Sequence, residues 1–441
     1  MINKALIPIL GLIVTVGLLT LTPSGWPQQF SRIDRELVQA MLESVASDVG
    51  KYYYDPKLHG VDWEAKVRET KGKVATATTY NGALLQIAAL LELLENSHTF
   101  FVPPGDARHQ DYGWRFQMVG ARCYITQVLP KSDAETEGLR PGDEVVNIDG
   151  FNPTRDGLSK MKYVINTLLP QPVLHVGLKD HSGKSREVDV KAWVRQNNIR
   201  DVGGYGGRDA WRLRLEREDQ LHRMRPQYKE FGSELMILKL PVFLETELAS
   251  EGIIDRARQH KILIVDLQGN PGGAETTLQE LLGGVFGGDV KIADRVTRDK
   301  TSPVTAKSVR HDVFAGKLIV LVDSESASAA ELFARVIQLE KRGIVLGDRT
   351  SGSVMEATYY RHQTGNPVFV YGTSVADANL VMADGNRLER TGVTPDATIL
   401  PSAEDLANNR DIVLARAAET AGVTLTPEAA AKLFPYEWPM K

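Results

Sequence analysis

Lys317-Leu318-Ile319-Val320-Leu321-Val322, followed after a short turn by Ser326-Ala327-Ser328-Ala329-Ala330-Glu331, is the stretch from which the fold is read. The first six residues are an apolar run of strand length and predict a buried parallel strand. The second six open a helical stretch over Ala330–Leu339. A strand that turns into a helix in this way holds Ser328 at a helix N-terminus. Free backbone N–H groups and the positive end of the dipole favour developing negative charge there. Small alanines on either side leave room for a substrate backbone to approach. Ser328 is therefore a candidate nucleophile, and an ordinary N-cap serine is the other reading of the same residues.

Outward from this stretch, strand and helix patterns alternate. Leu235–Leu240, Glu247–Gln259, Ile262–Leu267, Glu275–Leu282, Lys317–Val322, Ala330–Leu339 and Ile344–Gly347 follow one another. Such alternation predicts an α/β fold, a mostly parallel sheet with crossover helices. Gly272-Gly273 and Ser328 both fall just past strand C-terminal ends, where open α/β sheets carry their sites. Pro367–Val375 reads as a further strand, and Ser402 with Asp405 starts a final capped helix.

The N-terminal half is built differently. Leu37, Met41, Leu42 and Val45 share a helical face, and Ala83–Leu94 is strongly apolar. From about residue 110 to 192 the pattern is β-rich, with a Pro141-Gly142 turn feeding an alternating strand and a helix over Ser159–Leu168. The expected organisation is a leader or membrane anchor over 1–29, a helical region over 30–109 and a β-rich insert over 110–192. A Gly- and Arg-rich connection over 193–232 then leads to the α/β domain over 233–441.

Four segments, in order, resemble the carboxy-terminal-processing and tricorn-core family of serine peptidases. They are Glu95-Asn96-Ser97-His98-Thr99-Phe100, Ile262-Leu263-Ile264-Val265-Asp266-Leu267-Gln268-Gly269-Asn270-Pro271-Gly272-Gly273, the Ser328 segment, and Leu388-Glu389-Arg390-Thr391-Gly392-Val393-Thr394-Pro395-Asp396. The resemblance runs from about residue 35 to about 400 and implies a ClpP/crotonase-like catalytic core. Residues 110–192 resemble a PDZ domain. Gly113-Trp114-Arg115-Phe116 stands where such domains carry a carboxylate-binding loop, whose backbone N–H groups capture a chain terminus as the peptide adds as a strand.

One departure bears on mechanism. Many members of the family use a Ser-Lys dyad with the lysine in a Thr-x-Gly-Lys segment. Here the matching segment is Thr350-Ser351-Gly352-Ser353, with serine in the lysine position. The resemblance therefore points to the tricorn-like branch, which uses two serines, a histidine and a glutamate. It implies Ser328 as nucleophile, His98 as general base, and Ser97 and Glu389 as the groups that orient His98. The oxyanion would be held by the N–H of Ala329 and one from Gly272 or Gly273.

The chemistry requires these residue types. A serine hydroxyl attacks near neutral pH only if a base accepts its proton. Histidine, with an ordinary pKa of about 6.5, is suited to that task, and its ring needs a partner to fix the tautomer. The same residues leave two other readings open. One is an inactive peptide- or lipid-binding protein on this fold, and the other is an esterase.

Composition narrows the remainder. A net charge of −4, with 24% charged residues, excludes a general nucleic-acid surface. The single cysteine, Cys123, excludes an intramolecular disulfide. The nine histidines show no metal-binding spacing, so neither metal nor cofactor is expected. Glu331 reads as a first-turn acid favoured by the helix dipole, and Asp266 as a brace of the glycine turn. Lys4 followed by the apolar run Ala5–Leu21 reads as a signal or membrane anchor. It places the expected body outside the cytoplasm, and the PDZ resemblance implies protein or peptide partners engaged through their C-termini.

Overall fold

The computed structural model describes residues 30–105, 108–196, 218–244, 252–309, 312–365 and 368–439. The apolar run Ala5–Leu21 lies outside them, as does most of the Gly- and Arg-rich connection. No helix among the described residues is long and apolar enough to cross a membrane.

Three helices begin the chain: α1 (Arg32–Tyr52), α2 (Trp63–Thr76) and α3 (Tyr80–Glu92). Ser31 caps α1 reciprocally with Asp34, whose side chain accepts the Ser31 N–H at 2.9 Å. The buried face of α1 is Val38, Met41, Leu42, Val45 and Val49. Val38 takes the core position expected of Leu37, which is only partly covered. Helix α3 buries Ala83, Leu84, Leu85, Ile87, Ala88, Leu90 and Leu91. It then hands the chain through a turn to Ser97-His98 and strand β1 (Phe100–Val102).

The β-rich insert begins and ends in a ribbon of β2 (Arg108–Asp111) and β8 (Trp193–Gln196). Between them lies an antiparallel sheet in the order β3 (Trp114–Val119), β4 (Arg122–Val128), β5 (Glu144–Ile148), β6 (Val173–Lys179) and β7 (Ser185–Lys191). Helix α4 (Leu158–Tyr163) packs over its core, which includes Trp114, Phe116, Ile125, Ile148 and Val176.

The main sheet is a parallel run edged by one antiparallel strand. Its chain-order members are β9 (Gln227–Phe231), β10 (Leu235–Lys239), β11 (Ile262–Asp266), β14 (Lys317–Val322), β15 (Gly343–Gly347) and β18 (Ala397–Thr398), and its spatial order is β18-β15-β14-β11-β10-β9. Strand β9 is the antiparallel edge and lies inside the segment read as a connection. The strands are apolar throughout because both faces are covered. Met236, Leu238, Leu263, Val265, Leu318 and Val320 face α5 (Glu275–Val285) and α6 (Ala329–Leu339). Leu235, Ile237, Ile264, Ile319 and Leu321 face α7 (Ile412–Thr420). Of the helix expected over Glu247–Gln259, Ile253–Ala257 is helical, and residues 245–251 lie outside the described set.

A second, antiparallel sheet stands beside the first. It runs β1-β17-β12-β13, with β12 (Val290–Thr297), β13 (Thr301–Ala306) and β17 (Phe369–Met382), and β16 (Met355–Thr364) also pairs β17. The strand expected over Pro367–Val375 is the first half of β17, which runs seven residues further than expected, to Met382. Pairing of Phe100 with Ser374 and Phe101 with Thr373 fixes β1, and so the N-terminal helices, to the α/β domain.

Candidate active site

The turn between β14 and α6 is held on both sides. The Asp323 carboxylate accepts the N–H of Gly269 at 2.9 Å, and those of Glu325 and Ser326 at 3.0 Å each. The Ser326 hydroxyl donates to the Leu267 carbonyl at 2.8 Å, and the Ala327 N–H donates to the Asn270 carbonyl at 2.9 Å. The loop after β11 and the loop after β14 are thereby stitched together. Asp266 accepts the Gln268 N–H at 3.0 Å and pairs with Lys239 at 3.1 Å, which makes it the brace of the glycine turn.

Ser328 is left in a sparsely populated conformation, φ 53° and ψ −117°. A non-glycine residue there stores strain that its surroundings must hold. Its N–H donates to the Ser353 carbonyl and to Glu331 Oε2, each at 3.0 Å. Glu331 is fully buried and also accepts the N–H groups of Gly352 at 2.7 Å and Ser353 at 2.9 Å, and the Thr350 hydroxyl at 2.5 Å. Burial pushes its carboxyl up to about 7 against the opposing pull of these four donors.

Gly272 and Gly273 lie against this turn. A Cβ on Gly272 would sit 2.6 Å from the Ser328 Cβ and 3.0 Å from the Ala329 nitrogen. The Gly272 N–H is given to the Asn270 side chain at 2.7 Å, and its carbonyl takes the Phe243 N–H at 2.8 Å. Gly273 bridges to Phe243. Among the described residues the N–H groups of Gly273 and Ala329 have no acceptor, as expected for Ala329 in the first turn of a helix.

Ser97, His98 and Glu389 come together from segments nearly 300 residues apart. The Ser97 hydroxyl lies 2.7 Å from His98 Nδ1 and donates to Glu389 Oε2 at 2.8 Å. The Ser97 N–H donates to Glu389 Oε1 at 2.7 Å, and the Val354 N–H to Oε2 at 2.8 Å. The Asn96 carboxamide oxygen accepts the N–H groups of His98 and Thr99, at 3.1 and 2.8 Å, and shapes the turn. Desolvation lowers the His98 imidazole to about 4 and raises the Glu389 carboxyl. No hydrogen bond joins His98 to Ser328 among the described residues. The two are connected through adjacent residues, Ser353 on the Ser328 N–H and Val354 on Glu389.

The segment Gly113–Phe116, expected as a loop, is mostly strand: Trp114, Arg115 and Phe116 open β3, and its groups are already engaged. The Gly113 N–H donates to Asp111 Oδ1 at 2.7 Å. Trp114 and Phe116 stack at 4.5 Å and are buried in the insert. Along the same strand, the Met118 carbonyl accepts the Ser324 hydroxyl at 2.5 Å, and Gln117 donates to Asp323 at 3.3 Å. The insert therefore touches the loop that leads from β14 to Ser328. Two residues that shape the site, Glu331 and Asp323, were not read as functional from sequence. Their signal is the burial of a carboxylate among backbone donors from other segments.

Residues 235–399 match the family described as Peptidase family S41. The chain is 24% identical over 409 residues to tricorn protease homolog 2 of Streptomyces coelicolor, covering 84% of this chain and 31% of that one. It is 21% identical over 399 residues to carboxyl-terminal-processing peptidase 3, chloroplastic, of Arabidopsis thaliana, covering 85% and 70% respectively. Among solved structures, mature CPAF complexed with lactacystin shares the fold, with a TM-score of 0.63 and 13% identity over 85% of this chain and 96% of that one.

Proposed function

The chain carries a peptidase family S41 domain, and from that premise we propose that it is a serine endopeptidase with Ser328 as nucleophile and His98 as general base. The observation that carries this reading is the Glu389–Ser97–His98 relay, fastened by Val354 to the segment that also holds the Ser328 N–H.

The relay supports a defined tautomer. Ser97 donates its hydroxyl proton to Glu389, so its oxygen accepts the Nδ1–H of His98. The lone pair then resides on Nε2, the nitrogen free to take the Ser328 proton. As Ser328 Oγ bonds to the scissile carbonyl carbon, that proton passes to Nε2, and Ser97 with Glu389 stabilises the imidazolium. The oxyanion is taken by the N–H groups of Ala329 and Gly273, Gly272 serving as the close-packed neighbour. The imidazolium then protonates the leaving amine. Water, activated by the same ring, releases the acyl group.

The insert is read as a PDZ-like module that selects C-terminal tails of protein substrates, supported by its five-stranded sheet with α4 alongside. The Ala5–Leu21 run supports a location outside the cytoplasm. Fluorophosphonate labelling of residues 30–441 tests the chemistry. Labelling of the wild type that is lost in Ser328→Ala and in His98→Ala is the expected result. Well-folded wild type that stays unlabelled would favour a binding protein instead.

A further inference from the structure

The segment Pro435-Tyr436-Glu437-Trp438-Pro439 lies against the insert at Arg115. The Arg115 guanidinium is fixed on three sides. Asp111 accepts its Nη1 and Nη2 at 3.2 and 2.8 Å, and the Tyr436 hydroxyl accepts its Nε at 3.0 Å. The Trp438 ring centroid lies 4.5 Å from the guanidinium carbon, and Tyr436 meets Trp438 edge-on at 5.2 Å. Glu437 faces His222 at 3.9 Å. A planar guanidinium is suited to this combination of a hydrogen bond in its plane and an aromatic face over it. Tyr436 remains 46% exposed, so the contact is a surface seat and not core packing.

We propose that Arg115 is a peptide-docking seat for segments with aromatic residues flanking an acidic one, which Tyr436-Glu437-Trp438 of this chain occupies in cis. The inference rests on reading the insert as a PDZ-like peptide-binding module. Arg115 lies near the start of β3, and the residues after it on that strand reach the loop leading to Ser328 through Gln117–Asp323 and Met118–Ser324. The strand that carries the seat is thus the one that also contacts the loop leading to Ser328. A tethered occupant enjoys a high effective concentration, so a free peptide competes with it poorly.

The test is binding of a fluorescein-labelled, amidated Pro-Tyr-Glu-Trp-Pro peptide, read by anisotropy on the full chain carrying Ser328→Ala. Adding Tyr436→Ala and Trp438→Ala should tighten binding by about tenfold or more, and Arg115→Ala should abolish the gain. Arg115→Lys keeps the charge without the planar fork and should lose most of the gain if Arg115→Ala disturbs folding. Equal affinity with and without the cis residues, or a gain that survives both Arg115 variants, overturns the proposal. A second peptide with a free terminal carboxylate and no aromatic residue separates the two readings. Binding of it alone overturns the Arg115 seat and leaves the module reading standing, whereas binding of neither peptide overturns both.

Discussion

The carboxylate of Glu331 accepts the backbone N–H of Ser353 at 2.9 Å, from a position three residues past Ser328. Ser353 stands where Ser-Lys members of the family carry lysine. This chain offers a backbone segment there, tied by Glu331 to the Ser328 turn and by Val354 to Glu389. In this chain that segment gives its backbone N–H groups to two carboxylates, those of Gly352 and Ser353 to Glu331 and that of Val354 to Glu389.

Replacing Glu331 with glutamine leaves one acceptor oxygen and turns an NH2 group toward buried donors. At least one buried N–H then lacks a partner, at a cost of about 1–3 kcal/mol. Glu331→Gln should lower the melting temperature and slow fluorophosphonate labelling of the folded protein by about tenfold. Ser353→Ala removes only a contact with the Ser351 hydroxyl at 2.9 Å. Labelling within about twofold of wild type is expected, since such peripheral changes stay near 0.5 kcal/mol. A large loss in Ser353→Ala would assign the side chain a chemical role that the backbone reading denies.

The pH profile follows from His98. Desolvation holds its folded pKa near 4, below the ordinary 6.5. Neutral imidazole, the form that acts as base, therefore persists below 6.5, and the acid limb of kcat/KM should fall between pH 4 and 6.5. The unfolded chain takes up this proton at about 6.5 and the folded chain only near 4. Stability from this group is thus present above 6.5 and lost as pH falls through that window. An acid limb above 6.5 would mean that the Glu389 charge outweighs desolvation.

Ser97→Ala removes the bridge while leaving both His98 and Glu389 in place. The lost hydrogen bonds involve a charged partner, worth about 1.5–3 kcal/mol, so kcat should drop roughly 10- to 150-fold. KM should change little, because Ser97 acts through His98 and not on bound substrate. A KM effect of the same size would place Ser97 in the substrate site instead.

Much of this was legible in the sequence, and for physical reasons. The apolar runs Leu235–Lys239, Ile262–Asp266 and Lys317–Val322 announce strands buried on both faces, which fixes where Gly272, Gly273 and Ser328 fall. The role of Glu331 was not legible. A first-turn glutamate is favoured by the dipole in any helix, and its burial arises from Thr350–Ser353, a segment distant in sequence. Strand β16 also escaped, because it is mostly exposed or half-buried and lacks a strong apolar alternation. Val38 displaced Leu37 because the core-facing stripe of α1 is set by its packing partners as well as its period.

Gly272→Ala tests the close approach of the glycine turn to Ser328. Gly272 has φ +97°, and an added Cβ would meet the Ser328 Cβ at 2.6 Å, the Ala327 carbonyl oxygen at 2.9 Å and the Ala329 nitrogen at 3.0 Å. Backbone neighbours cannot rotate away, so the Ser328 turn or the Ala329 N–H must shift. Displacing one oxyanion donor costs about 2.7–4 kcal/mol, or 10²- to 10³-fold in kcat. Gly269 is the matched control: its φ is +73°, but open space surrounds its Cβ direction. Gly269→Ala bears a backbone strain of about 1–3 kcal/mol and should lower stability without slowing labelling of the folded protein. Gly272→Ala should slow it severely at comparable stability. Equal labelling rates in the two variants would detach Gly272 from the oxyanion site and leave it a structural turn residue only.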